Sequence, residues 1–88
     1  MRIWKYKLEI TDVQEIETPA GGEILTAQLQ GDELQLWVMV NENSMYKTTR
    51  KIAIYGTGNP VPEPYGKYIS TFQLNGGALV FHVFALAS

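Results

Sequence analysis

Residues 68–88 read YISTFQLNGGALVFHVFALAS and contain no Asp, Glu, Lys or Arg, whereas the rest of the chain is rich in all four. The stretch divides into a run of strand-forming residues, the turn Asn75-Gly76-Gly77, and a second run, residues 78–86, that is apolar on both faces. A strand with one wet face alternates polar and apolar residues, so a strand apolar on both faces has to be covered twice. In an 88-residue protein the second cover is expected from another subunit, which makes the C-terminal strand the expected contact of a homo-oligomer, a dimer or tetramer. A membrane is not the expected cover. A spanning helix needs about 20 continuous apolar residues, and this run is shorter and broken by Asn-Gly-Gly.

Working outward, the same period of two recurs. Trp4, Tyr6, Leu8 and Ile10 alternate with Lys5, Lys7 and Glu9, the pattern of a half-buried strand. Residues 23–30 and 33–40 form two further runs joined at Gly31-Asp32, a hairpin signal. In the second arm Leu34, Leu36, Val38 and Val40 share one face, while Gln35, Trp37 and Met39 share the other, semi-exposed one. A strand over residues 46–55 follows, then three prolines and three glycines within residues 56–66, which exclude helix and central strand. The acidic segment 11–22 ends in Pro19-Ala20-Gly21-Gly22. Within it residues 14–17 are expected as a short edge strand, and residues 11–16 are the only place for a helical turn. The reading is one all-β domain, residues 1–88, an antiparallel sandwich or barrel of six to seven short strands.

Composition limits the chemistry. A net charge of −2 and a pI near 5.2 argue against sequence-independent binding of DNA or RNA, which relies on a broad basic face. Cysteine is absent, which removes disulfides, thiolate metal sites and thiol nucleophiles. The opening Met1-Arg2-Ile3-Trp4-Lys5 lacks the apolar core and cleavage site of a secretory signal, so an intracellular protein is expected. The single histidine, His82, sits in an apolar run and reads as a core or interface histidine bonded to a carbonyl. No Gly-x-Ser-x-Gly elbow accompanies it, and no acidic spacing matches a calcium loop. Neither a catalytic constellation nor a metal or cofactor site is expected.

The residues with binding chemistry fall in two stretches. Around the turn Gly56-Thr57-Gly58, closely spaced glycines expose backbone N–H groups to an anion, and Arg50 and Lys51 stand just upstream with Tyr46 and Tyr55. The four cations Lys47, Arg50, Lys51 and Lys67, against Glu63 alone, form a local basic patch on an acidic chain. Aromatic faces stack on nucleobases while Arg or Lys neutralises phosphate, so this stretch, with Trp37 as a further aromatic, has the composition of a site for a small anionic nucleotide. Thr71, Gln73 and Asn75, spaced by two, offer donors and acceptors to a base edge from one strand face.

Three segments, Ile3-Trp4-Lys5-Tyr6, Gly56-Thr57-Gly58-Asn59-Pro60, and YISTFQLNGGALVFHVF over residues 68–84, resemble a family of small phage-encoded proteins catalogued as a domain of unknown function. The resemblance extends to phage anti-CBASS sponges, which bind cyclic dinucleotide immune signals without cutting them. It implies a non-catalytic, multimeric binder in the cytoplasm of an infected bacterial host cell. The rival expectation is a structural or protein-interaction module whose C-terminal strand pairs with a partner by strand addition.

Overall fold

The fold is taken from a computed structural model that describes residues 1–87. Seven strands follow in order: β1 (Arg2–Lys7), β2 (Val13–Pro19), β3 (Glu23–Gln30), β4 (Glu33–Val40), β5 (Lys47–Gly56), β6 (Lys67–Leu74) and β7 (Leu79–Leu86). They pair antiparallel into a three-stranded sheet, β1-β4-β3, and a four-stranded sheet, β2-β5-β7-β6, so the all-β expectation resolves as a sandwich. Segment 11–16 holds no helical turn: Ile10 to Asp12 bend, and β2 begins at Val13 and runs seven residues, longer than the short edge strand expected. Acidic Glu15 and Glu17 alternate there with Ile16, which packs on the core, and this is why a charged segment can still be a strand. Among the described residues no helix is long and apolar enough to cross a membrane.

The period of two dictates the packing. Leu34, Leu36, Val38 and Val40 of β4 meet Ile52 and Ile54 of β5, Phe72 of β6 and Val83 of β7, all buried. Each fully buried Leu, Ile or Val contributes about 1.5–3 kcal/mol to folding. Tight turns hold the strands in register. Gly31 adopts φ +64° as the first residue of the two-residue β3–β4 link, the position type II′ hairpins reserve for glycine. Gly66 has φ +75°, and a Cβ there would lie 2.1 Å from the Ala85 carbonyl oxygen, so only glycine lets the long loop enter β6 this close to β7.

The edges β3 and β6 of the two sheets run beside each other, and each carries a bulge: the register shifts between Ile24 and Thr26, and again between Tyr68 and Ser70. At this seam the Ser70 hydroxyl accepts the Ala27 N–H at 3.2 Å and donates to the Ala27 carbonyl. Both residues are buried. One side chain therefore stands in for a neighbouring strand and links the sheets.

The apolar C-terminal strand is placed differently from expectation. β7 lies inside its sheet, hydrogen-bonded to β5 on one side and β6 on the other. Strand addition to β7 is thus ruled out geometrically, because both its edges are used. Nor does its outer face wait wholly for another subunit, since Tyr55, Tyr65 and Tyr68 of the same chain pack around Phe84.

Replacing Ser70 by Ala leaves the buried N–H and C=O of Ala27 without partners. The expected loss is about 2–4 kcal/mol of stability, or roughly 8–30 °C in melting temperature for a domain of this size. Thermal unfolding followed by circular dichroism checks it, and an unchanged midpoint contradicts the linking role.

Candidate binding face on the four-stranded sheet

The outer face of the four-stranded sheet follows from register. Tyr55 of β5 lies opposite His82 of β7, which lies opposite Thr71 of β6; in the next row Ala53, Phe84 and Tyr68 stand side by side. Cross-strand partners share a face. The β6 bulge matters here, because strict alternation would separate Tyr68 from Thr71, whereas the shifted register brings the Tyr68 hydroxyl to 2.7 Å from Thr71 Oγ1.

Two features occupy this face. The first is aromatic: Phe84 has Tyr55 and Tyr68 edge-on at 5.7 Å and Tyr65 of the proline-rich loop stacked at 6.0 Å. Their cover is dense enough that Ala53, beneath them, is fully buried. Beside Tyr55 the loop leaves a cleft of about 490 Å³ walled by Ile10, Val13, Pro60 and Pro62. The second feature is a polar chain. Thr71 Oγ1 lies 2.9 Å from His82 Nδ1, and Thr57 Oγ1 lies 2.7 Å from His82 Nε2.

This chain accepts two proton arrangements. With the ring proton on Nε2, the Tyr68 hydroxyl donates to Thr71, Thr71 donates to Nδ1, Nε2–H donates to Thr57, and Thr57 donates to the Val80 carbonyl at 3.4 Å. With the proton on Nδ1 the bonds from Tyr68 to Thr57 reverse, Thr57 turns its proton from the Val80 carbonyl to Nε2, and the Tyr68 O–H is released outward. Neutral imidazole offers one donor and one acceptor, so either tautomer satisfies both hydroxyls. Tyr68 thereby presents an acceptor or a donor according to what lies against it. His82, expected against a carbonyl, is held by hydroxyls instead.

The structure gathers some of the residues singled out in the sequence and scatters others. Tyr55, Thr57, Thr71 and Gln73 line this face, and Lys51 joins its margin opposite Glu15. Arg50 does not. Neighbouring residues of a strand point to opposite faces, and Arg50 turns inward, its Nε donating to Thr18 Oγ1 and its Nη2 to the Gly21 carbonyl, each at 3.2 Å. There it lines a separate cleft of about 250 Å³ with Lys67. Lys47 pairs with Glu17 at 3.5 Å, so the four cations do not form one basic patch. Trp37 belongs to the other sheet, flanked by Lys5 and Thr26. Tyr46 lies before β5, and Asn75 opens the 3₁₀ turn Asn75–Gly77, its φ of 52° and its carbonyl, which accepts Ala78 N–H, serving the turn.

The expected anion nest is also corrected. Thr57 N–H donates to the Val80 carbonyl at 3.0 Å, and Asn59 N–H closes the turn on the Gly56 carbonyl at 3.1 Å. Two of its donors are spent within the fold. What the turn supplies is the Thr57 hydroxyl. The residues the sequence reading missed are Tyr65, Tyr68 and Phe84. Phe84 was legible as an even-numbered companion of His82; Tyr68 was hidden by the bulge, and Tyr65 by the loop.

Comparison with known proteins places the chain without assigning it a task. Residues 1–88 match the family model DUF7352, a domain of unknown function, and the chain belongs to that family. No curated protein and no solved structure matches it.

One group in the inter-sheet mouth has a displaced acidity. Burial pushes the Tyr6 phenol above the ordinary tyrosine range, against a smaller opposing pull from the Arg50 guanidinium. As pH rises past about 10, the unfolded chain gives up this proton before the folded one does, so stability is full below that point and declines above it. Melting curves of the wild type should therefore fall more steeply than those of Tyr6→Phe between about pH 9 and 11; parallel curves contradict it.

Proposed function

We propose that the chain is a non-catalytic binding protein for a small cyclic nucleotide, and that it acts by sequestering such a signal, as a phage counter-defence sponge does in the cytoplasm of its bacterial host. The observation that carries this reading is the juxtaposition, on one sheet face, of tyrosine rings with a hydroxyl–imidazole chain whose polarity can reverse. Rings give a base something to stack on, each stacked base being worth about 1–3 kcal/mol. The reversible chain meets either polarity of a base edge at Tyr68. Lys51 at the margin supplies charge for a phosphate.

Ligand sites bury most of their ligand, and this face is a single wall. A second copy of the chain set against it supplies the other wall, which is the place this reading gives to a homo-oligomer. The contact would be face to face, because the edges of β7 are taken.

A catalytic reading has one observation in its favour. Thr57 Oγ1 at 2.7 Å from His82 Nε2 has the spacing of a nucleophile and its base. The group on the far ring nitrogen is the Thr71 hydroxyl, which carries no charge to steady an imidazolium. Sequestration is therefore preferred.

The test is to incubate the protein with a panel of cyclic di- and trinucleotides, follow thermal shifts, and then denature it and chromatograph the released ligand. Sequestration requires a shift with intact nucleotide recovered. Cleaved nucleotide would make the protein an enzyme, and no shift with any member would refute nucleotide binding. Tyr55→Ala and Lys51→Ala are each expected to weaken binding about tenfold or more, whereas Arg50→Ala leaves affinity unchanged and lowers the melting temperature.

A further inference from the structure

The mouth between β1 and the β4–β5 loop holds a second site. Residues two apart on a strand share a face, so Arg2, Trp4 and Tyr6 of β1 point the same way. Trp4 and Tyr6 line a cavity of about 390 Å³ whose far side is formed by Met45 and Tyr46. These last two residues are 91% and 75% exposed, so their side chains stand free at the rim of the cavity.

Glu42 lines the same cavity. Its Oε1 lies 3.3 Å from Arg2 Nε, while its Oε2 is buried and no donor among the described residues reaches it. A buried carboxylate oxygen without a donor is costly, and native folds hold few of them. The torsion that sets the carboxylate plane is broad, so displacement of the exposed Arg2 side chain lets the carboxylate turn and bring its buried oxygen to the cavity beside the other one. The Arg2 side chain is 70% exposed, which makes its ion pair weak and displaceable.

The charges around the cavity choose its occupant. Arg2 pairs with Glu42, and Lys47 pairs with Glu17, which leaves no net charge. An organic cation would meet Arg2 and Lys47 as readily as the carboxylates, and an anion would meet Glu42. An uncharged, flat molecule with N–H groups on one edge meets rings on its faces and an acceptor at its edge. Among common ligands a guanine base fits best, because two neighbouring donors, its ring N–H and its amine, match the two oxygens of one carboxylate.

We infer that the cavity bounded by Trp4, Tyr6 and Tyr46 binds a guanine base, with Glu42 accepting the hydrogen bonds of its pairing edge. This site shares no residue with the sheet face described above and does not rest on the reading given to that face.

The chain supplies its own reporter. It has two tryptophans, Trp4 and Trp37, and only Trp4 lines the cavity, so Trp37→Phe leaves a protein whose tryptophan emission comes from the site. Guanosine, which carries no phosphate, is expected to quench this emission saturably, and caffeine, a purine without N–H donors, is not. On the same background Glu42→Leu should weaken guanosine at least about tenfold, the loss of hydrogen bonds to a charged acceptor, and should leave the melting temperature of the unliganded protein equal or higher. Tyr46→Ala, at a side chain already in solvent, should keep the fold and weaken guanosine too. Equal quenching by caffeine, an absence of saturable quenching by guanosine, or undiminished affinity in Glu42→Leu would each overturn the inference. So would a large fall in the melting temperature of Glu42→Leu, which would make Glu42 a structural partner of Arg2. Tyr55→Ala leaves guanosine quenching unchanged, so the fate of this site and that of the sheet face are decided separately.

Discussion

The rest of the structure depends on one extra residue in β6. The bulge between Tyr68 and Ser70 turns Ser70 inward, where its hydroxyl takes both polar groups of Ala27 and joins the sheets at their edges. It also sets Tyr68 and Thr71 on the outer face, three residues apart yet in hydrogen-bond contact. Without the bulge, Tyr68 and Ser70 would share one face and Thr71 the other. Core closure and the polar chain through His82 are thus two results of a single local irregularity. The matching bulge in β3 lets Ile24 and Ala27, also three apart, both reach the interior.

This explains where sequence reasoning worked. Alternation in β1, β4 and β5 was strict enough to expose both the strands and the inner faces, and glycine at position 31 marked the hairpin that joins β3 to β4. Charge on β2 blurred its extent, because an edge strand tolerates acidic residues on its wet side. The binding residues were harder. Alternation itself should have parted Arg50 from Lys51, since adjacent strand residues cannot address the same phosphate from one surface. Trp37 and Tyr46 were grouped with Tyr55 by composition, although topology carries them to the other sheet and to the other side of the sandwich mouth. Bulges leave no period to detect, which is why Tyr68 escaped notice. The apolar character of both faces of β7 was read correctly, but its second cover comes in part from tyrosines of the same chain, one of them in a loop whose path no periodicity reveals.

The two candidate sites differ in physical kind. The outer sheet face is preassembled: its rings pack on one another, its hydroxyls and imidazole are mutually bonded, and a ligand would exchange those contacts little. The Glu42 cavity is the opposite case, with exposed side chains on its rim and an acceptor whose hydrogen-bonding capacity the fold leaves unused. Membership in the DUF7352 family says nothing about either.

The position of β7 has a consequence for the life of the protein in a crowded cell. Leu79–Leu86 has high strand propensity, no charge and no proline, which is the composition of segments that nucleate cross-β assembly when their backbone is bare. In the native sheet β5 and β6 occupy both of its edges, and β6 is itself an edge strand, pinned along the seam by the Ser70 hydroxyl. Detachment of β6 alone would uncover one whole side of the stickiest segment in the chain. A local opening of that kind costs no more than global unfolding, so release of the β6 edge is enough to bare this segment while the rest of the fold stands.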